Sequence, residues 1–229
     1  MAPKILFVLT SHNKLGSTGK PTGWYLPELA HPYHVLSKKA EITVASPKGG
    51  EAPLDPASVE AAKDDDVSVN FHKNDEAVWK NTQKLDSFVG KAGDFDAIFY
   101  VGGHGPMFDL VDNPTSHQLI REFWEAGKVV SAVCHGPAVF YDAKLSDGSL
   151  LVAGKEVTAF TNTEEEQVGL TKAVPFLPED ALQKASGGKF VKAAEPWGEK
   201  VVVSGNLITG QNPASASGVG EAIAKALGV

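Results

Sequence analysis

Four short apolar runs constrain the fold more than anything else in the chain: ILFVLT from Ile5, ITVAS from Ile42, AIFYV from Ala97 and VVSAV from Val129. They are rich in β-branched and aromatic residues and lack the polar alternation of a strand with one wet face. Such runs belong to strands buried on both sides, the habit of parallel sheets. Helical-length segments separate them, so the pattern predicts an α/β fold, a mostly parallel sheet with helices on both faces. In that layout the loops leaving the carboxyl ends of the strands share one crevice.

The segments between the runs refine the picture. A helix is expected over residues 24–39, with Pro27 tolerated in its first turn and a bend or break at Pro32. Glu28, His31 and His34, spaced by three, are expected to face one way. After the turn-rich PKGGEAPLDPAS the chain becomes more polar. Residues 57–92 read as a small cap insertion within a single domain spanning 1–229, carrying a solvated acidic run at Asp64 to Asp66 and a helix from about Asp75 to Phe88. Its Trp79, Leu85 and Phe88 form the side that packs. Further on, a helix from Thr115 to Ala126 is capped by Thr115 or Asn113. Short strands are expected at 150–152 and 156–160, then a helix capped by Asn162 or Thr163 within TNTEEEQVGL. A proline-punctuated helix, a strand pair at 201–204 and 207–209 and a final helix from Ala214 to Leu227 close the chain.

The 229 residues, 42% of them hydrophobic, are enough for one large core. The formal net charge of −7 argues against a nucleic-acid or anionic-membrane partner. A single cysteine rules out an intrachain disulfide and fits a reducing compartment. The apolar stretch from Ile5 to Leu9 is too short for a signal h-region or a membrane span, so the expected location is the cytoplasm.

That cysteine, Cys134, ends the fourth run and is followed by His135, Gly136 and Pro137. A lone cysteine is ordinarily a small buried hydrophobe. Here the β-prone valines before it and the turn residues after it predict a strand-to-helix elbow, which lifts the thiol clear of the sheet toward the amides of a helix N-terminus. The field of such a terminus lowers a thiol's pKa and favours the thiolate, so Cys134 reads as a nucleophile. The GGHG string from Gly102 to Gly105 leaves the preceding strand and lets the backbone approach a ligand closely, which makes His104 a candidate substrate contact. Trp24, beside Glu28, is a candidate for the roof of the site.

Taken together, PELAHP near the N-terminus, YVGGHGPMFDL, AVCHGPA, FTNTEEEQVGL and TGQNPAS resemble the ThiJ/PfpI superfamily, flavodoxin-like relatives of the class I glutamine amidotransferases. More narrowly they resemble its stress-protein branch, which contains the glutathione-independent glyoxalases, or glyoxalase III. The resemblance implies a flavodoxin-like fold, conversion of methylglyoxal and related 2-oxoaldehydes to 2-hydroxy acids such as lactate without an organic cofactor, and a cytosolic homodimer. It also implies residue roles: Cys134 as nucleophile, His135 as the adjacent triad histidine, and Glu28 as the carboxylate that approaches the thiol. The third triad member is an acid after Phe160. Ungapped alignment on Gly169 puts Glu165 there, with Glu164 and Glu166 open as neighbours in register. The amides of Gly103 and His135 would bind an oxyanion.

Other classes share parts of this signature and compete with the glyoxalase reading: a holdase chaperone or protein deglycase of the same superfamily, a cysteine peptidase, an amidotransferase and a thiol redox sensor. No metal is expected, because His31, His34, His72 and His104, with Glu28 or Asp109, lack any tight zinc spacing such as HExxH.

Overall fold

The computed structural model describes residues 2–229. Seven strands form one sheet: β1 (Lys4–Val8), β2 (Glu41–Ser46), β3 (Gln83–Lys84), β4 (Ala97–Tyr100), β5 (Val129–Val133), β6 (Val201–Ser204) and β7 (Leu207–Gly210). Their order is β3-β2-β1-β4-β5-β7-β6, parallel throughout except for the β6/β7 hairpin. All four apolar runs are strands in its central part, at β1, β2, β4 and β5.

The period-two alternation of side chains sorts these strands between two cores. Ile5, Phe7, Phe99 and Val133 point to one face, under α1 (Leu26–Leu36) and, near the C-terminus, the helix Ala216–Leu227. Leu6, Val8, Ile98, Tyr100, Val130 and Ala132 point to the other, where they meet Leu119, Ile120 and Phe123 of the helix Pro114–Glu125. In chain order the remaining helices are α2 (Pro56–Ala61), α3 (Asp66–Asn74), α4 (Glu76–Lys80) and α5 (Pro106–Asp109). Pro114–Glu125 is α6, and α7 (Asn162–Gln167), α8 (Pro178–Ala185) and α9 (Ala216–Leu227) complete the set.

Several expectations are corrected. Helix α1 runs unbroken through Pro32, although proline has no N–H to give the Glu28 carbonyl. Packing compensates: α9 comes so close that a Cβ at Gly220 would lie 3.0 Å from Pro32 Cα. The helix expected over 75–88 is instead the short α4, a crossover in which Thr82 exchanges backbone hydrogen bonds with Gly50, and the edge strand β3 paired with Ala45 and Ser46. Trp79, Leu85 and Phe88 are buried all the same. In the acidic run, Asp65 caps α3 through the Val67 amide and binds His31 at 2.7 Å. Residues 150–152 and 156–160 are not strands, only bridges at Leu150 and Val157. Leu151, Val152, Val157 and Ala159 fill the core on the α6 face from irregular backbone, and Phe160 packs in the other core. The cap of α7 is Thr161, in a reciprocal capping box with Glu164, while Asn113 caps α6 as one of the two candidates. No helix among the described residues is long and apolar enough to cross a membrane.

The contact between α1 and α9 matters because α1 carries Glu28. A side chain at Gly220 would also meet Val35 Cβ at 3.3 Å. Gly220→Val is therefore expected to destabilise the fold by about 1–3 kcal/mol through overpacking. The check is a lower urea midpoint with an unchanged slope; an unaltered midpoint would show that the two helices have room to separate.

Candidate active site

Cys134 lies at the carboxyl end of β5 with φ at +61°. A left-handed backbone costs a non-glycine residue roughly 1–2 kcal/mol, and two flanking hydrogen bonds hold it there. The Cys134 N–H donates to the Gly210 carbonyl of β7 at 2.9 Å, and its carbonyl accepts from the Phe160 amide at 2.9 Å. The chain then turns away at once, which Gly136 permits: a Cβ there would sit 2.7 Å from the Tyr100 oxygen. The turn leads into a short 3-10 segment, Gly136–Phe140, rather than the expected α-helix.

The thiol is correspondingly not a low-pKa one. Burial, then the charge of Glu28 and a hydrogen directed at its carboxyl, push the Cys134 thiol well above its ordinary range. The local sequence suggests the opposite, because it predicts a helix terminus and is silent about a carboxyl that comes from another part of the chain.

Glu28 is fully buried, and neither carboxyl oxygen has a hydrogen-bond partner. Burial raises it from an ordinary 4.5 to about 8, with the Cys134 thiol and the Gly103 and Gly102 amides pulling it partly back without completing a hydrogen bond. At neutral pH Glu28 therefore carries its proton, in the direction expected for an acid buried beside a thiol. The approach is close enough that a Cβ on Gly102 would lie 2.1 Å from Glu28 Oε2. Gly103 is equally constrained, with φ at +92° and room for no Cβ beside the Gly23 oxygen. Among the described residues, the amides of Gly103 and His135 are not taken up by any backbone carbonyl, and that of Gly103 is directed at the thiol and the Glu28 carboxyl.

Behind the thiol stands a hydrogen-bonded relay. His135 Nδ1 is 3.4 Å from Cys134 Sγ, and its Nε2 is 2.5 Å from Glu165 Oε2. The second Glu165 oxygen is 2.6 Å from His104 Nε2. Burial opposes ionisation of Glu165, yet the imidazoles of His135 and His104 hold its carboxyl well below the usual carboxylate range. An ionised Glu165 only accepts, so each histidine presents Nε2–H to it. His135 is kept neutral by burial and by His104, against the pull of Glu165. Its Nδ1 lone pair is then left facing the thiol, a tautomer inferred from the partners.

The residues converge on a cavity of about 60 Å³, room for a few waters or a short molecule. Glu28, Gly103, Cys134, His104 and His135 all line it. Tyr25, Phe160, Val168, Trp197 and Pro213 complete the lining, and the sequence singles out none of these. Tyr25 does carry a signal: it precedes α1 beside Trp24, and extended residues alternate sides. Trp24 itself is corrected as a site residue, since it is fully buried, donates its indole N–H to the Ala52 carbonyl at 3.0 Å and packs on Trp79. The larger clefts beside Tyr141 and Phe176, about 490 Å³, and around His31, about 300 Å³, do not include the thiol.

Of the three adjacent glutamates, Glu165 meets His135. Glu164 turns into the protein, and Glu166 is exposed. Nor do the helix α1 histidines join Glu28: His31 is paired with Asp65 and His34 is exposed. The grouping with metal-like composition is instead His104, His135 and Glu165, whose donor atoms lie within 4.8 Å of one another. They touch at hydrogen-bonding distance, so a cation would have to displace both histidine bonds to the carboxylate.

Comparison with known proteins gives a consistent result. The family model described as "DJ-1/PfpI family" matches residues 25–226. The chain is 33% identical to Glyoxalase 3 of Candida albicans over 224 residues, covering 93% of each protein. It is 33% identical over 229 residues, 94% of each, to the glutathione-independent glyoxalase HSP31 of Saccharomyces cerevisiae. The crystal structure of glyoxalase III from Candida albicans superposes with a TM-score of 0.86 at 31% identity, covering 98% of this chain and 97% of that one.

The partnerless carboxyl carries a stability consequence. A folded-state value of about 8 against 4.5 means the native protein holds a proton that the unfolded chain has released. Its contribution is fully present below about 4.5 and is lost as pH rises through about 8. Glutamine at this position cannot titrate. Glu28→Gln is therefore expected to gain stability over the parent between pH 5 and pH 8, on the order of a few kcal/mol at 1.36 kcal/mol per pKa unit. Urea unfolding of both proteins at the two pH values checks this, and a difference that does not change with pH would refute it.

Proposed function

Since this chain belongs to the DJ-1/PfpI family, we propose that it is a glutathione-independent glyoxalase, converting methylglyoxal and related 2-oxoaldehydes to 2-hydroxy acids. The observation that carries the reading is Glu28, a buried, protonated carboxyl without a hydrogen-bond partner, set against the only thiol in a cavity of about 60 Å³. A buried acid of that kind serves to accept and return a proton. The same Cys, His and Glu grouping could serve a peptidase, but a cavity this small does not have room for a polypeptide.

In the reaction, sulfur adds to the aldehyde carbon as the His135 Nδ1 lone pair takes the thiol proton, and Glu165 stabilises the imidazolium. The amides of Gly103 and His135 hold the developing oxyanion. The imidazolium returns its proton to that oxygen, giving a hemithioacetal. In molecules whose Glu28 has released its proton to solvent, the carboxylate removes the hydrogen from the first carbon and delivers it to the second through an enediol, while His135 carries the hydroxyl proton of the first carbon to the second oxygen. The product is a thioester, and water activated by His135 releases the 2-hydroxy acid and the thiol. Every proton has a residue to carry it, so the scheme takes no cofactor or metal.

We read the chain as one domain, residues 1–229, with 57–92 as its cap. It works as a homodimer in the cytoplasm, without nucleic-acid or membrane partners, in keeping with its net charge of −7.

Purified protein incubated with methylglyoxal and no glutathione is expected to form lactate. Cys134→Ala should fall to background, and Glu28→Gln should lose roughly 10²–10⁴ in rate, the range for a general acid or base. Lactate formation that survives in Cys134→Ala, or none from the parent, overturns the reading.

A pH profile tests the role of Glu28 separately. The carboxylate form does the work, so kcat/KM is expected to rise with pH up to about 8 and level off above it. A rate that falls over this range would mean that the protonated acid is the working form.

A further inference from the structure

Two non-glycine residues in the described chain have positive φ, and both line the same cavity: Cys134 at +61° and Trp197 at +65°. A strained backbone persists only where its surroundings determine it. For Cys134 the reason is the nucleophile. For Trp197 the reaction scheme supplies none.

Trp197 is held at both ends. Its N–H donates to Glu164 Oε1 at 2.8 Å, and its indole Nε1–H donates to Gln167 Oε1 at 2.6 Å. Glu164 is itself fully buried, with five donors on its carboxylate: the Thr161 amide and hydroxyl, the Trp197 amide, Gln211 Nε2 and Asn212 Nδ2. The anchor therefore ties the Trp197 loop to the start of α7 and to the residues just after β7. The indole stands edge-on to Phe160 at 5.5 Å, and Phe160 lies 4.5 Å from the His135 ring. Even so, Trp197 remains 41% exposed. A large apolar side chain kept half in water, in a strained backbone, with both polar groups satisfied, is being presented to something. What it borders is the mouth of the Cys134 cavity, with Val168 beside it.

We propose that Trp197 is the specificity-determining wall of the cavity, limiting the compounds that reach Cys134 to those whose substituent beyond the reactive carbon is short. In terms of the glyoxalase reading, on which the choice of substrate rests, it admits the methyl group of methylglyoxal and turns away an aryl group.

The test is Trp197→Gly, which removes the wall and suits the backbone, because glycine takes positive φ without strain. If that protein does not fold, Trp197→Asn, also tolerant of the left-handed region, gives the same measurement. With one cysteine in the chain, alkylation of Cys134 is unambiguous by intact mass. Rates are taken with iodoacetamide and with N-benzyl-iodoacetamide, which carry the same reactive group, and kcat/KM with methylglyoxal and with phenylglyoxal. The bulky-to-small ratio is expected to rise at least tenfold in the variant, in both pairs. An unchanged alkylation ratio overturns the wall, whatever the enzyme assay gives. A shifted alkylation ratio without lactate from either protein leaves the wall standing and overturns the glyoxalase reading instead.

Discussion

A carboxyl group buried without a hydrogen bond against a thiol is the arrangement the rest of this structure has to accommodate. Glu28 would be ionised in water at neutral pH; here burial raises it to about 8, and the neutral acid survives because charging it would cost more than holding the proton. The frame that enforces this extends well beyond the site. Helix α1 carries Glu28 inward and is pressed from behind by α9 at Gly220, while Gly102 and Gly103 remove every Cβ that would keep the strand end away from the carboxyl. A residue larger than glycine at any of these points would push the acid and the sulfur apart. The pair thus depends on long-range packing of two helices on one face of the sheet, not on any motif of its own.

This dependence explains what could be read from the sequence. The strands β1, β4 and β5 are legible because burial on both faces leaves a local mark, an unbroken apolar run, and β2, half-buried from Ile42 to Val44, is marked by a similar run. The elbow at Cys134 is legible for the same reason, with glycine and proline marking the turn. The direction of the thiol's pKa shift is not, since it is decided by a carboxyl that lies far away in sequence and by burial that no local window reports. The error at Trp24 is one of phase: a single step along an extended segment exchanges the side of the chain, so Trp24 enters the core and Tyr25 the cavity. At 150–160 the apolar residues read as strands, yet Leu151, Val152, Val157 and Ala159 reach the core from loops. Burial marks a sequence without saying what hydrogen-bonding pattern accompanies it.

The three buried glutamates of the site show how far partners, rather than residue type, decide a side chain's role. Glu28 has no hydrogen bond and keeps a proton. Glu165 has two imidazole donors and gives its proton up, which in turn fixes the tautomer that points a lone pair at the sulfur. Glu164 has five donors, none of them from the thiol's relay, so it serves as an anchor for the loop that carries Trp197.

Glu164 and Glu165 are consecutive, and that is why their register carries so much. Successive residues of a helix point about 100° apart, so α7 can send one carboxylate to the histidines and the next one back into the protein from a single turn. Thr161 sets this phase by starting the helix where it does: its hydroxyl and amide both bind Glu164, closing the capping box on the residue that must face inward. With that face fixed, Glu165 is left to face the two histidines. A helix begun one residue later would hand His135 a different side chain and leave the anchor's five donors unmatched. The cap of a six-residue helix therefore positions both the relay behind the sulfur and the wall in front of it.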